Sequence, residues 1–118
     1  MSLTEDKKRE FEKKIRSLNE KFDEESFKEF FQSLAMYRYT TLTFDIENWL
    51  YGLIEKEKLP LVWGILAWWY FMIGETDAST ENALKATRYF PDTDLWQTFI
   101  DAAYWLEKAG HEAGEKKI

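Results

Sequence analysis

The feature that most constrains this chain is an uncharged run of 16 residues from Leu59 to Gly74. Coiled as a helix, the run would be about 24 Å long, which is shorter than the ~30 Å hydrocarbon core of a bilayer. Pro60 and Gly74 also bracket it, and both residue types are common at helix ends. The run therefore predicts a helix over 61–73 that lies at the centre of a bundle or in an interface, in a protein without a membrane span.

Apolar residues recur at helical spacing before this run. Residues 1–22 predict a charged N-terminal helix with a narrow apolar seam, opened by Ser2 and Glu5 at capping-box spacing. Asp23 is predicted to cap a second helix, which ends between residues 36 and 39.

Turn and capping residues divide the rest of the chain. Residues 39–43 predict a connection, with Thr43 as the cap of the third helix. Caps for a fifth helix are available between residues 77 and 80, and Pro91 is expected to terminate it. Asp94 is placed to open a sixth helix.

Length and composition agree with one folded domain. The chain has 118 residues, of which 45% are hydrophobic, and this is enough for one core. We predict a single all-α domain over residues 1–118, with about six helices in a compact helical bundle or a short array of helical hairpins. Residues 111–118 are predicted to be a frayed tail.

The net charge argues against a large phosphate-binding surface. The chain has 16 basic and 22 acidic residues, which gives a net charge of -6. Eight of the basic residues lie within residues 1–29. Their concentration supports an alternative function as a small helical subunit of a nucleoprotein complex, with a weak basic patch on the N-terminal helix. The absence of cysteine excludes disulfides and thiolate zinc sites, and it fits a cytoplasmic location.

Residues for catalysis or metal binding are scarce. His111 is the only histidine and lies near the end of the chain, where little is expected to hold it rigidly. Asp101, between two apolar residues, is the most plausible catalytic carboxylate, although an outward-facing surface position also explains it. No glycine-rich phosphate-binding motif occurs. We therefore predict no enzyme activity, no cofactor and no metal site.

Aromatic residues crowd the predicted central helix, and successive helical residues point about 100° apart. The crowded residues are Trp63, Trp68, Trp69, Tyr70 and Phe71. They cannot all face one core. Either the other helices cover them, or some of them form a contact patch for a partner, since tryptophan and tyrosine dominate interface energetics. An RNA-stacking platform would need a basic groove, which the composition does not supply.

Residues 60–91 resemble one tetratricopeptide repeat, a helical hairpin that stacks into solenoids. The positions that match the family pattern are Trp63, Leu66, Ala67, Tyr70, Gly74, Ala86 and Pro91. The resemblance implies a tetratricopeptide-like hairpin or short array of hairpins. Its groove-facing residues would be Leu61, Gly64, Trp68, Phe71 and Met72. Because these residues are apolar, the implied ligand is a hydrophobic helix or peptide.

The sequence thus predicts a non-enzymatic helical domain for protein–protein interaction or self-association, which uses its aromatic-rich central helix. The predicted partner-binding residues are Leu61, Trp68, Phe71 and Met72. The expected partner is another protein or further copies of this chain in a homo-oligomer. Nucleic acid is not expected to bind the chain on its own.

Overall fold

The described part of the chain consists of helices and their connections, as predicted. A computed structural model describes residues 4–37, 43–101 and 108. Five helices are described from end to end: α1 Glu5–Glu20, α2 Glu24–Ala35, α3 Thr43–Glu57, α4 Leu61–Met72 and α5 Thr76–Tyr89. A sixth, α6, begins at Leu95. None of the described residues lies in a strand, so the all-α helical bundle is confirmed.

The first two helices begin at side-chain caps. The Thr4 hydroxyl accepts a hydrogen bond from the Lys7 backbone N–H at 3.1 Å, so α1 is capped by Thr4. The predicted cap Ser2 lies outside the described residues. Asp23 caps α2 as predicted, accepting from the Ser26 backbone N–H at 2.9 Å. Each cap satisfies an amide that has no partner within its own helix.

Proline and glycine bracket α4 as predicted. Pro60 is the N-cap residue, with a φ of -59° that suits the start of a helix. Gly74 follows the C-terminal end with a φ of +87°, a left-handed conformation that side chains disfavour. The predicted start of α5 is wrong, because the helix begins at Thr76 without a side-chain cap. Ser79, within the predicted capping segment, instead donates its hydroxyl to the Ala67 carbonyl at 2.7 Å.

The central position of α4 is confirmed. It forms an antiparallel hairpin with α5, and it also contacts α1 and α3. Most of its residues are buried: Leu61, Val62, Gly64, Ile65, Leu66, Ala67 and Trp69. Small side chains allow α5 to approach closely, since Ser79, Ala83 and Ala86 are all fully buried. A helix that is apolar on all sides is stable here because other helices cover most of it.

In the described part of the chain, no helix is both long enough and hydrophobic enough to cross a bilayer.

Candidate functional site

Leu61, a predicted partner-binding residue, lies in the core. Its side chain is 0% exposed, and its backbone N–H donates to the Asn19 side-chain oxygen at 3.0 Å. This bond satisfies one of the free amides at the start of α4 and ties α4 to α1. Leu61 therefore has no side-chain surface to offer a partner, contrary to the sequence expectation.

Trp68, the second predicted residue, is half-buried beneath α2 and α6. Its ring stacks on Phe31 with centroids 4.2 Å apart and an interplanar angle of 8°. Phe27 and Phe99 also contact it, at 5.9 Å and 5.3 Å. Offset-stacked and tilted ring pairs of this kind are stabilising beyond the area that they bury. The face of α4 that carries Trp68 is thus occupied largely by aromatic residues of the same chain.

The neighbouring residues on this face are covered in the same way. A Cβ atom on Gly64 would lie 2.4 Å from the Trp96 ring, so the glycine makes room for the indole. Phe71 lies 5.8 Å from Phe99, and both Phe71 and Met72 are half-buried. The partial exposure of Trp68, Phe71 and Met72 leaves their contact with a partner a prediction.

The other side of α4 carries Trp63, whose ring has a different environment. The Lys85 ammonium lies 4.3 Å from the centroid of the Trp63 ring. Beside this ring is a cavity of about 260 Å³, which we call the Trp63 cleft. Its lining residues are Ile54, Lys58, Leu59, Pro60, Trp63 and Tyr89. A cavity therefore borders α4 beside Trp63, whereas aromatic rings of α2 and α6 pack against Trp68 on the other side.

A larger cavity of about 590 Å³ adjoins the same part of α5. We call it the acidic cleft. Its lining residues are Phe22, Asp23, Glu24, Tyr89, Phe90, Pro91, Asp92, Thr93 and Asp94. Three of these residues are aromatic and four are carboxylates, and no lysine or arginine is among them. The acidic cleft thus combines aromatic surface with concentrated negative charge.

Two connections that are distant in sequence build the acidic cleft. Phe22 lies between α1 and α2, and Phe90 follows α5; their ring centroids are 5.5 Å apart. The Thr93 hydroxyl donates to the Glu24 carboxylate at 2.6 Å and joins the connection after α5 to the start of α2. Behind the rings, the Trp96 indole N–H donates to the Phe90 carbonyl at 3.1 Å. The floor of the cleft is therefore fixed by packing and hydrogen bonds.

The carboxylates of the acidic cleft have few cationic partners. Hydrogen bonds from the Ser26 hydroxyl and backbone N–H lower the pKa of Asp23 and stabilise its charged form. Glu24 lies 3.9 Å from the Lys28 ammonium. Asp92 and Asp94 make no side-chain ion pair with any described residue. Negative charge at this rim is therefore only partly compensated.

Tyr89 lines both cavities and separates them. It is the last residue of α5, and its side chain is 55% exposed although it is large and aromatic. The two cavities and this residue make one continuous surface, which we call the Tyr89 surface. Met36 and Phe44 are also exposed, but they line neither cavity.

Most basic residues of the N-terminal helix are paired with carboxylates, whereas Lys13 and Lys14 are exposed and have no ion pair with a described residue. Four of its basic residues lie within 4.0 Å of a carboxylate on the same helix; the pairs are Lys7–Glu10, Lys8–Glu5, Arg9–Asp6 and Arg16–Glu12. Arg16 also contacts Glu57 of α3 at 2.8 Å, which raises the pKa of the guanidinium and lowers that of Glu57. Because carboxylates of the same chain neutralise these basic residues, less positive charge is available to bind phosphate.

The candidate catalytic residues form no reaction centre in the described part of the chain. Asp101 is exposed, as the surface interpretation expected, and accepts a hydrogen bond from the Gln97 side chain at 2.9 Å. His111 lies outside the described residues. No three carboxylate or imidazole side chains among the described residues are placed to hold a metal ion. Burial and a hydrogen bond to Tyr51 raise the pKa of Tyr70, so its hydroxyl stays protonated.

No protein-family model, curated protein sequence or solved structure matches the chain.

Proposed function

We propose that this chain is a helical protein-interaction domain, and that a segment of a partner protein docks on the Tyr89 surface. The observation that carries the proposal is Tyr89 itself, an exposed aromatic side chain between two cavities. Aromatic side chains beside pockets are frequent anchors of protein interfaces, because they offer a large rigid contact area.

The shape of the surface favours an extended or helical segment over a small molecule. The two cavities hold about 590 Å³ and 260 Å³ and share one residue, so a single ligand that fills both must cross Tyr89. A polypeptide with neighbouring side chains meets this requirement, because it places one side chain in each cavity. The aromatic-rich α4 still contributes, through Trp63.

The resemblance to a tetratricopeptide repeat supports a peptide ligand but not the same binding face. Residues 60–91 include the α4–α5 hairpin, and membership of that family stays a proposal. Three of the groove-facing positions that the resemblance implies, Trp68, Gly64 and Phe71, are packed against Phe31, Trp96 and Phe99. A partner would therefore bind the other side of the hairpin. A cytoplasmic location belongs to the same proposal, since a chain without cysteine suits a reducing compartment.

Selection from a displayed random peptide library tests this function on the full chain. We expect the wild-type chain to enrich peptides that lose at least about tenfold in affinity for the Tyr89→Ala variant, as for an anchor residue. Phe44→Ala is the matched control, because Phe44 is 74% exposed and lines neither cavity. It should bind the same peptides as the wild type.

Two results would contradict the proposal. One is a selection that yields no peptide whose binding depends on Tyr89. The other is a concentration-dependent dimer, measured by sedimentation equilibrium, that Tyr89→Ala dissociates and Phe44→Ala does not. That dimer would assign the Tyr89 surface to a second copy of the chain.

A further inference from the structure

We infer that the acidic cleft receives a lysine or arginine side chain, so that the partner segment is basic where it meets the connection between α5 and α6. This inference rests on the proposed function and names the chemistry of its partner. It starts from the charges of the cleft, whose lining holds four carboxylates and no basic residue.

The partners of each carboxylate show where positive charge is missing. Asp23 accepts from Ser26, and Glu24 accepts from the Thr93 hydroxyl. These neutral donors satisfy hydrogen bonds without cancelling charge. Glu24 also lies 3.9 Å from the Lys28 ammonium, which compensates part of its charge. Asp92 and Asp94 have no side-chain hydrogen bond or ion pair with any described residue. A cation that enters the cleft lowers the repulsion among all four carboxylates at once.

The aromatic lining suits an organic cation. Phe22, Tyr89 and Phe90 border the same space as the carboxylates. An ammonium or guanidinium group is attracted to the face of an aromatic ring, and the methylene stem of lysine or arginine packs along apolar surface. A hydrated metal ion gains less from these rings, because it has no hydrocarbon stem to pack on them. The described carboxylates also form no cluster that would hold one.

The adjoining Trp63 cleft specifies a different side chain. Ile54, Leu59 and Pro60 give it apolar walls, and Lys58 stands at its edge. The Lys85 ammonium lies over the Trp63 ring. These two lysines disfavour a second cation and leave room for an apolar residue. The preferred segment therefore pairs a basic side chain, in the acidic cleft, with a bulky apolar side chain across Tyr89.

The charge of the selected peptides tests this inference. Among peptides whose binding depends on Tyr89, we expect lysine and arginine to be enriched over the starting library. Replacing the enriched basic residue of the tightest peptide with norleucine should weaken binding by about fivefold or more, because the stem is kept and the charge is lost. Raising the salt concentration from about 0.05 M to about 0.5 M should weaken the lysine peptide more than the norleucine peptide.

Matched variants of the full chain locate the effect. The double variant Asp92→Asn with Asp94→Asn should bind the lysine peptide about fivefold more weakly and the norleucine peptide unchanged. The control removes two charges elsewhere, with Glu29→Gln and Asp45→Asn, and should keep the preference for lysine. Both are exposed and line neither cavity.

The outcomes separate this inference from the proposed function. Tyr89-dependent peptides that are neutral or acidic would overturn the basic partner and leave the interaction function standing. An equal loss of lysine preference in the control variant would also overturn it, because the effect would then come from net charge. If no peptide depends on Tyr89, the interaction function fails, and the inference fails with it.

Discussion

The two sides of α4 carry tryptophans with different surroundings. Trp68 and Trp63 are both half-buried. Three aromatic rings from α2 and α6 contact Trp68. Trp63 has a lysine over its ring and a cavity beside it. The difference shows that an excess of aromatic residues does not itself make an interface. An aromatic residue is left exposed for a partner only if neighbouring helices do not supply side chains that pack against it.

Truncating the two tryptophans should change stability by different amounts. Trp68→Ala should lower the free energy of unfolding by about 3 kcal/mol or more, because it leaves a void among three rings. Trp63→Ala should lower the free energy of unfolding by no more than about half as much, because a cavity already borders the Trp63 ring and fewer packing contacts are lost. Urea denaturation measures both. Equal losses would show that the two sides are packed alike.

Two glycine variants probe the packing on the Trp68 side of α4 and on α3. Gly64→Ala places a Cβ within 2.4 Å of a buried indole that is held by its own hydrogen bond, so we expect a loss of about 2 kcal/mol. Gly52→Ala, in α3, meets nothing within 4 Å and should gain about 0.5–1 kcal/mol from helix propensity. Chemical denaturation again gives both values. A stabilising Gly64→Ala would contradict the close packing of α6 on α4.

The smallest expected effect concerns the acidic cleft and pH. The pKa of Asp23 is lowered in the folded chain from an ordinary value of 3.8. A lowered folded-state pKa contributes stability above the unfolded pKa, and this contribution is lost as the pH falls through the folded value. Asp23→Asn keeps a capping side chain and removes the titration, so its melting temperature should fall less between about pH 5 and about pH 2.

The control for this pH experiment is Asp45→Asn, which changes the same charge at an exposed position on α3. It should keep the acid sensitivity of the wild-type chain. If Asp23→Asn is as acid-sensitive as this control, the Ser26 hydrogen bonds do not stabilise the Asp23 carboxylate in solution.

Local features of the fold were predictable from the sequence. The Asp23 cap, the left-handed Gly74 and the buried α4 follow from short-range patterns, and all three are present. The start of α5 was not predictable, because Ser79 donates to Ala67 instead of capping. Whether the Ser79 hydroxyl caps α5 or bonds to α4 depends on how the two helices pack, and capping preference alone does not predict this packing.

The Tyr89 surface could not be predicted from the sequence for a similar reason. Asp23 and Asp94 were interpreted as helix caps or solvated residues, which their local context supports. The sequence gives no sign that the connection around Phe22 meets the one around Phe90. Pairs of acidic and aromatic residues in both connections were the only available signal. The burial of Leu61 was missed because the contact between α1 and α4, which includes the hydrogen bond from Leu61 to Asn19, is equally non-local.

The most direct test of the central claim is to map a selected peptide onto the full chain by the chemical shifts of backbone amides. A partner that docks on the Tyr89 surface should perturb amides near residues 22–24, 58–63 and 89–94, and leave those around Trp68 and Phe31 unchanged. Perturbations concentrated instead around Trp68, Phe71 and Phe31 would contradict the account, because they would place the docking surface on the side of α4 that the chain already covers.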